Sequence, residues 1–150
     1  MTIASSSNMN STYGFTPDFN DSDANGNGDD AYYLYFGGGR TFTLSVMFSG
    51  GTVILHPPPF EPFELANAVQ KYSANALFLV PTQLRRLLAC DAEVKQSFNS
   101  LNPLFSTGSP LMPYERISIL NNLSQHFFEC YGSTEGGGVS ICSPQDFKKY

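Results

Sequence analysis

The sequence predicts an α/β fold in which a parallel sheet carries flanking helices in the order βαβαβαβ. Three observations predict it. Short, continuous apolar runs at residues 52–55, 76–80, 104–106 and 126–130 have the length and composition of strands buried on both faces. Stretches with a helical repeat lie between them, and two of these open with a proline, Pro62 and Pro113, at a first-turn position. Strands that alternate with helices in this way need crossover connections, which are right-handed.

Each element has its own justification. "TFTLSVMFSGG" (41–51) carries Leu44, Met47 and Phe48 at helical spacing and stops at Gly50 and Gly51, a helix C-cap signal. "TVIL" (52–55) is β-branched and reads as a buried parallel strand. "PFELANAVQKY" (62–72) starts with proline and repeats Phe63, Ala66 and Val69 on one helical face. "ALFLV" (76–80) is the second strand, and Thr82 can cap the next helix, whose apolar face is Leu84, Leu87 and Leu88. "LFS" (104–106) is the third strand. Pro113 then opens a helix bearing Ile117, Leu120 and Leu123, with Glu115 and Arg116 on a solvated face, and "HFFEC" (126–130) is the fourth strand.

Ahead of all this, residues 1–30 are rich in Ser, Asn, Asp and Gly, with Phe15 and Phe19 nearly alone as large hydrophobes. Such a segment buries too little apolar surface to offset its ordering, so it reads as a disordered acidic and polar tail before a folded part at 31–150. Within it, "DSDANGNGD" places Asp21, Asp23, Asn25 and Gly26 as in the first half of a calcium loop. The twelfth position, where such a loop needs a bidentate Glu, is Tyr32, and no amphipathic helix precedes the loop, so an acidic linker is the better reading of the stretch.

Charge and cysteine usage exclude several function classes. A net charge of -5 with no cluster of Lys and Arg argues against a nucleic-acid surface. Cys90, Cys130 and Cys142 are an odd number with no CxxC spacing, as expected of reduced thiols in the cytoplasm rather than of a disulfide framework or a zinc site. The N-terminus has no apolar core of a signal peptide, and no run approaches the roughly 18 apolar residues of a membrane span. His56 precedes three prolines in a rigid turn and His126 begins a strand; neither has a partner at metal-ligand spacing.

In parallel sheets, ligands sit beyond the carboxyl ends of the strands. The third strand runs into "STGSPL" (106–111) and the fourth into "YGSTEGGG" (131–138), so both glycine-bearing turns fall on one rim. Taken alone, STGSPL is equally well an ordinary strand-to-helix turn. YGSTE is more specific, with a hydroxyl and a carboxylate side by side at Thr134 and Glu135 between glycines.

YGSTE resembles the Y-G-x-T-E motif of adenylate-forming enzymes, the family of acyl-CoA synthetases, peptide-synthetase adenylation domains and luciferase-type ligases. STGSPL is similar to that family's G-G-A-P-L turn, with Thr107 in place of the first glycine and Ser109 in place of the alanine. "GGTVIL" and "NALFLVPTQLRRLL" resemble its two preceding strands, so the likeness covers residues 31–150. The resemblance implies part of a larger adenylate-forming fold and, in its closest flavour, an acid–CoA ligase for fatty or aromatic acids.

It also implies roles. Thr134 would donate to the α-phosphate of ATP and of the acyl-adenylate, and Glu135 would hold Mg²⁺. Tyr131 would lie against the adenine, with Gly108, Ser109 and Pro110 as the flat wall opposite. Gly132 and Gly136, Gly137 and Gly138 would leave room for the acyl group. The implied substrates are a carboxylic acid, ATP and coenzyme A. The sequence also departs from the family. A Ser/Thr/Gly-rich phosphate loop ending in Lys has no counterpart, because no lysine precedes Lys71. The aromatic-His motif is reduced to Phe36-Gly37, and the downstream ribose-binding Asp and catalytic Lys would lie past Tyr150. The expectation is therefore a chain that alone is inactive, binds ATP weakly at best, and self-associates. Two other readings fit the same residues: a non-catalytic nucleotide-binding or regulatory fragment, and an interaction protein with a calcium-responsive acidic tail.

Overall fold

The computed structural model describes residues 2–3, 37–55 and 59–148. Of the polar tail only Thr2 and Ile3 are described; its calcium-loop-like stretch and His56 lie outside the described residues.

In chain order the elements are β1 (Thr2–Ile3), α1 (Gly37–Phe48), β2 (Ile54–Leu55), α2 (Pro62–Lys71), β3 (Leu77–Leu79), α3 (Pro81–Leu88), α4 (Ala92–Gln96), β4 (Leu104–Ser106), α5 (Pro113–Asn122), β5 (Phe127–Ser133) and β6 (Gly137–Cys142). A 3₁₀ turn, Asp146–Lys148, follows. The main sheet has the order β3-β4-β5-β6. Its first three strands are parallel, with Leu77, Leu104 and Phe127 in register, as the alternation of apolar runs and helices requires.

One face of this sheet carries Phe78, Phe105 and Phe128, which stand in one row across the three strands. Phe42 of α1 packs over that row, 4.4 Å from the Phe78 ring and 5.0 Å from the Phe105 ring. The other face carries Leu77, Leu79, Leu104 and Phe127. These join Leu65, Val69, Leu84, Leu87, Phe98, Leu101 and Ile119 in the main core. The remaining helices cover this face, and their apolar contacts supply most of the stabilisation, at roughly 25 cal/mol per Å² of apolar surface removed from water.

The helix ends follow local chemistry. At the end of α1, Gly50 has φ 75, and the amides of Gly50 and Gly51 donate to the carbonyls of Met47 and Val46, a Schellman closure that needs a left-handed residue. Helix α2 closes in the same way at Ser73, whose φ is 49. Its neighbour's amide, that of Ala74, donates to Val69 O at 2.9 Å.

Several expectations are corrected. The 52–55 run does not join the parallel sheet: Ile54 and Leu55 pair antiparallel with Ile3 and Thr2. Four apolar residues specify a strand but not its partner, which tertiary context chooses. On α1, Leu44, Met47 and Phe48 are the exposed residues, at 44%, 59% and 87%, whereas Thr43 and Val46 are buried beside Phe42's side of the helix. Phe63 and Ile117 are likewise exposed, and Leu65, Ala68 and Ile119 carry the cores of α2 and α5. Thr82 does not cap α3. Val80 is the N-cap, Pro81 opens the helix, and Gln83 Oε1 accepts the Val80 amide at 3.2 Å. Helix α4 had no strong apolar period to announce it.

Candidate functional site

The rim formed by the ends of β4 and β5 is built by a short series of hydrogen bonds. Beyond Ser106, the chain turns through Gly108, whose φ of 102 is a left-handed conformation that a side chain would resist. Thr107 Oγ1 donates to the carbonyl oxygen of Cys130 at 2.7 Å, tying this turn to the neighbouring strand. At the exit of the turn, two successive amides each meet a carboxylate. Leu111 N donates to Glu129 Oε1 at 3.1 Å, and Met112 N donates to Glu115 Oε2 at 2.7 Å.

Each of those carboxylates is backed by an arginine. Arg116 Nε donates to Glu129 Oε2 at 2.6 Å, and Arg85 Nε donates to Glu115 Oε1 at 2.6 Å. The Glu115 and Glu129 side chains are only 8% and 13% exposed. The hydrogen bond from Arg85, with that from the Met112 amide, holds the Glu115 carboxyl below the usual carboxylate range. This corrects the reading of Glu115 and Arg116 as a solvated face. In a helical repeat, the two are indistinguishable from surface charges. The readable clue was Glu129, a lone carboxylate inside an apolar strand, which almost always means a partner.

The YGSTE segment is a hairpin rather than a strand-to-helix turn. Strand β5 continues through Tyr131 and Gly132 to Ser133, reverses over Thr134, Glu135 and Gly136, and returns antiparallel as β6. This return is absent from the expected elements; the alternation of Val139 and Ile141 after a glycine turn is the signal that could have found it. Two local features shape the tip. Ser133 Oγ accepts the Gly136 amide at 2.9 Å, and Gly137 has φ 72. At Gly132 an added Cβ would stand 2.4 Å from the Gly137 carbonyl oxygen, so the two strands approach too closely for any side chain there.

Tyr131 is 70% exposed, and Thr134, Glu135 and the three glycines after them are exposed as well. Gly108, Ser109 and Pro110 are exposed on the adjacent turn. The residues that the motif resemblance singles out therefore lie on the turn after β4 and on the β5–β6 hairpin. Between them, burial, and next the charges of Glu129 and Cys142, push the Cys130 thiol up to about 11. All three cysteines are free. Among the described residues no cluster of three His, Cys, Asp or Glu could hold a metal, and no helix is long and apolar enough to cross a membrane.

A three-stranded parallel layer with helices on both faces, ending in two glycine turns on one rim, is an α/β ligand-binding architecture. The family model for AMP-binding enzymes matches residues 4–150, and the chain belongs to that family. It is 30% identical over 132 residues to a probable CoA ligase, CCL5, of Humulus lupulus, covering 79% of this chain and 22% of that protein. It is 29% identical over 102 residues to an indoleacetate–CoA ligase of Aromatoleum aromaticum, covering 68% of this chain and 20% of that one. The chain thus spans about a fifth of the length of these relatives.

Among solved structures, ATP-bound MatB from Rhodopseudomonas palustris superposes with a TM-score of 0.61 at 24% identity, over 74% of this chain and 22% of MatB. A luciferase-like enzyme from the mealworm Zophobas morio gives 0.63 at 21% identity, over 77% of this chain and 27% of that enzyme. These two share the fold.

Proposed function

We propose that this chain carries part of the adenylate site of an acid–CoA ligase. Such an enzyme joins a carboxylic acid to ATP, giving acyl-adenylate and pyrophosphate, and then passes the acyl group to coenzyme A. The observation that carries this reading is the Thr107–Cys130 hydrogen bond of 2.7 Å, which ties the glycine turn after β4 to the strand that leads into Tyr131 and the glycine hairpin. CoA ligases among the relatives support the reaction class.

In this reading Tyr131 stacks on the adenine, and the turn of Gly108, Ser109 and Pro110 forms the opposite wall. Thr134 donates its hydroxyl to the α-phosphate, where negative charge builds as the acid's carboxylate attacks. Glu135 is the Mg²⁺ ligand. Magnesium is usually held by one or two carboxylates together with substrate phosphates rather than by a protein cage. A single exposed carboxylate suits that mode, and the backbone beside it is open: an added Cβ at Gly137 or Gly138 would meet nothing within 4 Å. When bound, the cation neutralises charge on the phosphate oxygens. The location is proposed to be cytoplasmic.

The test is binding of ATP with and without Mg²⁺ to the chain and to its Glu135→Gln variant. The reading expects weak binding that Mg²⁺ strengthens in the parent and not in the variant. An equal response to Mg²⁺ in both would remove Glu135 from the metal site.

A further inference from the structure

Glu129 has no place in the motif reading, yet it ties the exit of the STGSPL turn to the strand that presents Tyr131. It sits on β5 two residues before Tyr131, and each oxygen of its part-buried carboxylate accepts a hydrogen bond. One oxygen accepts the Leu111 amide at 3.1 Å; the other accepts Arg116 Nε at 2.6 Å. Leu111 is the last residue of the STGSPL turn, and Arg116 lies on the first turns of α5, which that turn feeds. One side chain therefore grips the exit of the turn and the start of the helix from the strand that presents Tyr131.

The neighbouring carboxylate, Glu115, does a different job. It lies on α5 itself and accepts the Met112 amide within its own helix, while Arg85 ties it to α3. Loosening Glu115 would free the helix start from α3 but leave the turn fixed to β5. Loosening Glu129 would free the exit of the turn from β5, while the Thr107–Cys130 bond would still hold its entrance.

We propose that Glu129 is a positioning residue: by holding Leu111 to the Tyr131 strand, it sets the width of the slot between Tyr131 and the wall of Gly108, Ser109 and Pro110. The inference rests on the proposed adenine slot. A planar ring is gripped from both sides only when the walls stand at the right separation, so the carboxylate acts on affinity without touching the nucleotide. The charge on Glu129 is offset by Arg116, which is 28% exposed at its side chain and can turn to water if the pair is broken. A neutral acceptor at this position can therefore keep the Leu111 bond.

The experiment uses the full 150-residue chain, as wild type, Glu129→Ala and Glu129→Gln. Amide exchange is followed by NMR at Leu111 and at the core strand residues Phe78 and Phe105, and AMP is titrated into each protein. In the Ala variant, Leu111 is expected to lose its protection while Phe78 and Phe105 keep theirs. AMP affinity is expected to fall about tenfold, the scale of one hydrogen bond to a charged acceptor. The Gln variant is expected to keep Leu111 protection and most of the affinity. Unchanged protection of Leu111 in the Ala variant would overturn the proposal, as would lost protection with unchanged AMP affinity. If wild type itself binds no AMP, the adenine slot fails and the slot-width role with it, while Leu111 exchange still decides whether Glu129 holds the turn.

Discussion

Thr107 Oγ1 and the carbonyl oxygen of Cys130 stand 2.7 Å apart, and this bond ties the entrance of the turn after β4 to the strand that leads into Tyr131. Replacing Thr107 by Val keeps the shape, removes the donor and leaves a part-buried carbonyl without that partner. Thr107→Val is expected to lower unfolding free energy by about 1 kcal/mol, read from the urea midpoint at constant slope. Thr107→Ser should restore most of it.

The Glu115 carboxyl gives stability a definite pH dependence. Its folded value is lowered, first by the Arg85 hydrogen bond and then by the Met112 amide. A carboxyl lowered on folding contributes fully above its unfolded value, about 4.3, and loses that contribution as pH falls towards the folded value. Urea midpoints of wild type should therefore fall between neutral pH and the region below about pH 4.3 by more than those of Glu115→Gln. Parallel curves for the two proteins would contradict the pairing.

The hairpin discriminates among glycines that look equivalent in sequence. An alanine at 132 would put its Cβ 2.4 Å from the Gly137 carbonyl oxygen, a backbone atom that can only yield by opening the strands. Gly132→Ala is expected to cost at least about 2 kcal/mol and to disperse the β5–β6 cross-strand signals. Gly138 has neither a near neighbour nor a positive φ, so Gly138→Ala should change stability by less than about 0.5 kcal/mol. Thermal melts of the two variants make the comparison.

Burial, then the Glu129 charge, keeps the Cys130 thiol protonated, with its titration pushed up to about 11, and a protonated thiol is a poor nucleophile. Cys142, by contrast, is exposed. Iodoacetamide at pH 8 should therefore label Cys142 well before Cys130, with the order read by mass spectrometry of tryptic peptides.

Much of the positioning frame was legible because continuous apolar runs have one stable use, as strands covered on both faces. That placed strands at 76–80, 104–106 and 126–130, which hold the paired Leu77, Leu104 and Phe127, and it put STGSPL and YGSTE on one rim. What was illegible depended on partners far away in sequence. Ile54 and Leu55 pair with Ile3 and Thr2 rather than with the main sheet, a choice that no local run encodes. Leu44, Met47 and Phe48 have helical spacing, but the row of Phe78 and Phe105 drew Phe42's side of the helix inward instead. Glu115 and Arg116 look like solvated charges until Arg85 and Glu129 are brought beside them by α3 and β5. The candidate residues of the rim came from a motif resemblance. The groups that hold the rim, Thr107, Glu115 and Glu129, came from the structure alone.

The most direct test of the proposed adenylate site is a titration of AMP into the isotope-labelled chain, with every assigned amide followed by NMR. The account predicts weak, saturable shifts concentrated at residues 107–111 and 131–135, abolished together when Tyr131 and Gly108 are both substituted. Shifts centred elsewhere on the protein, or none at millimolar AMP with the sheet intact, would contradict it.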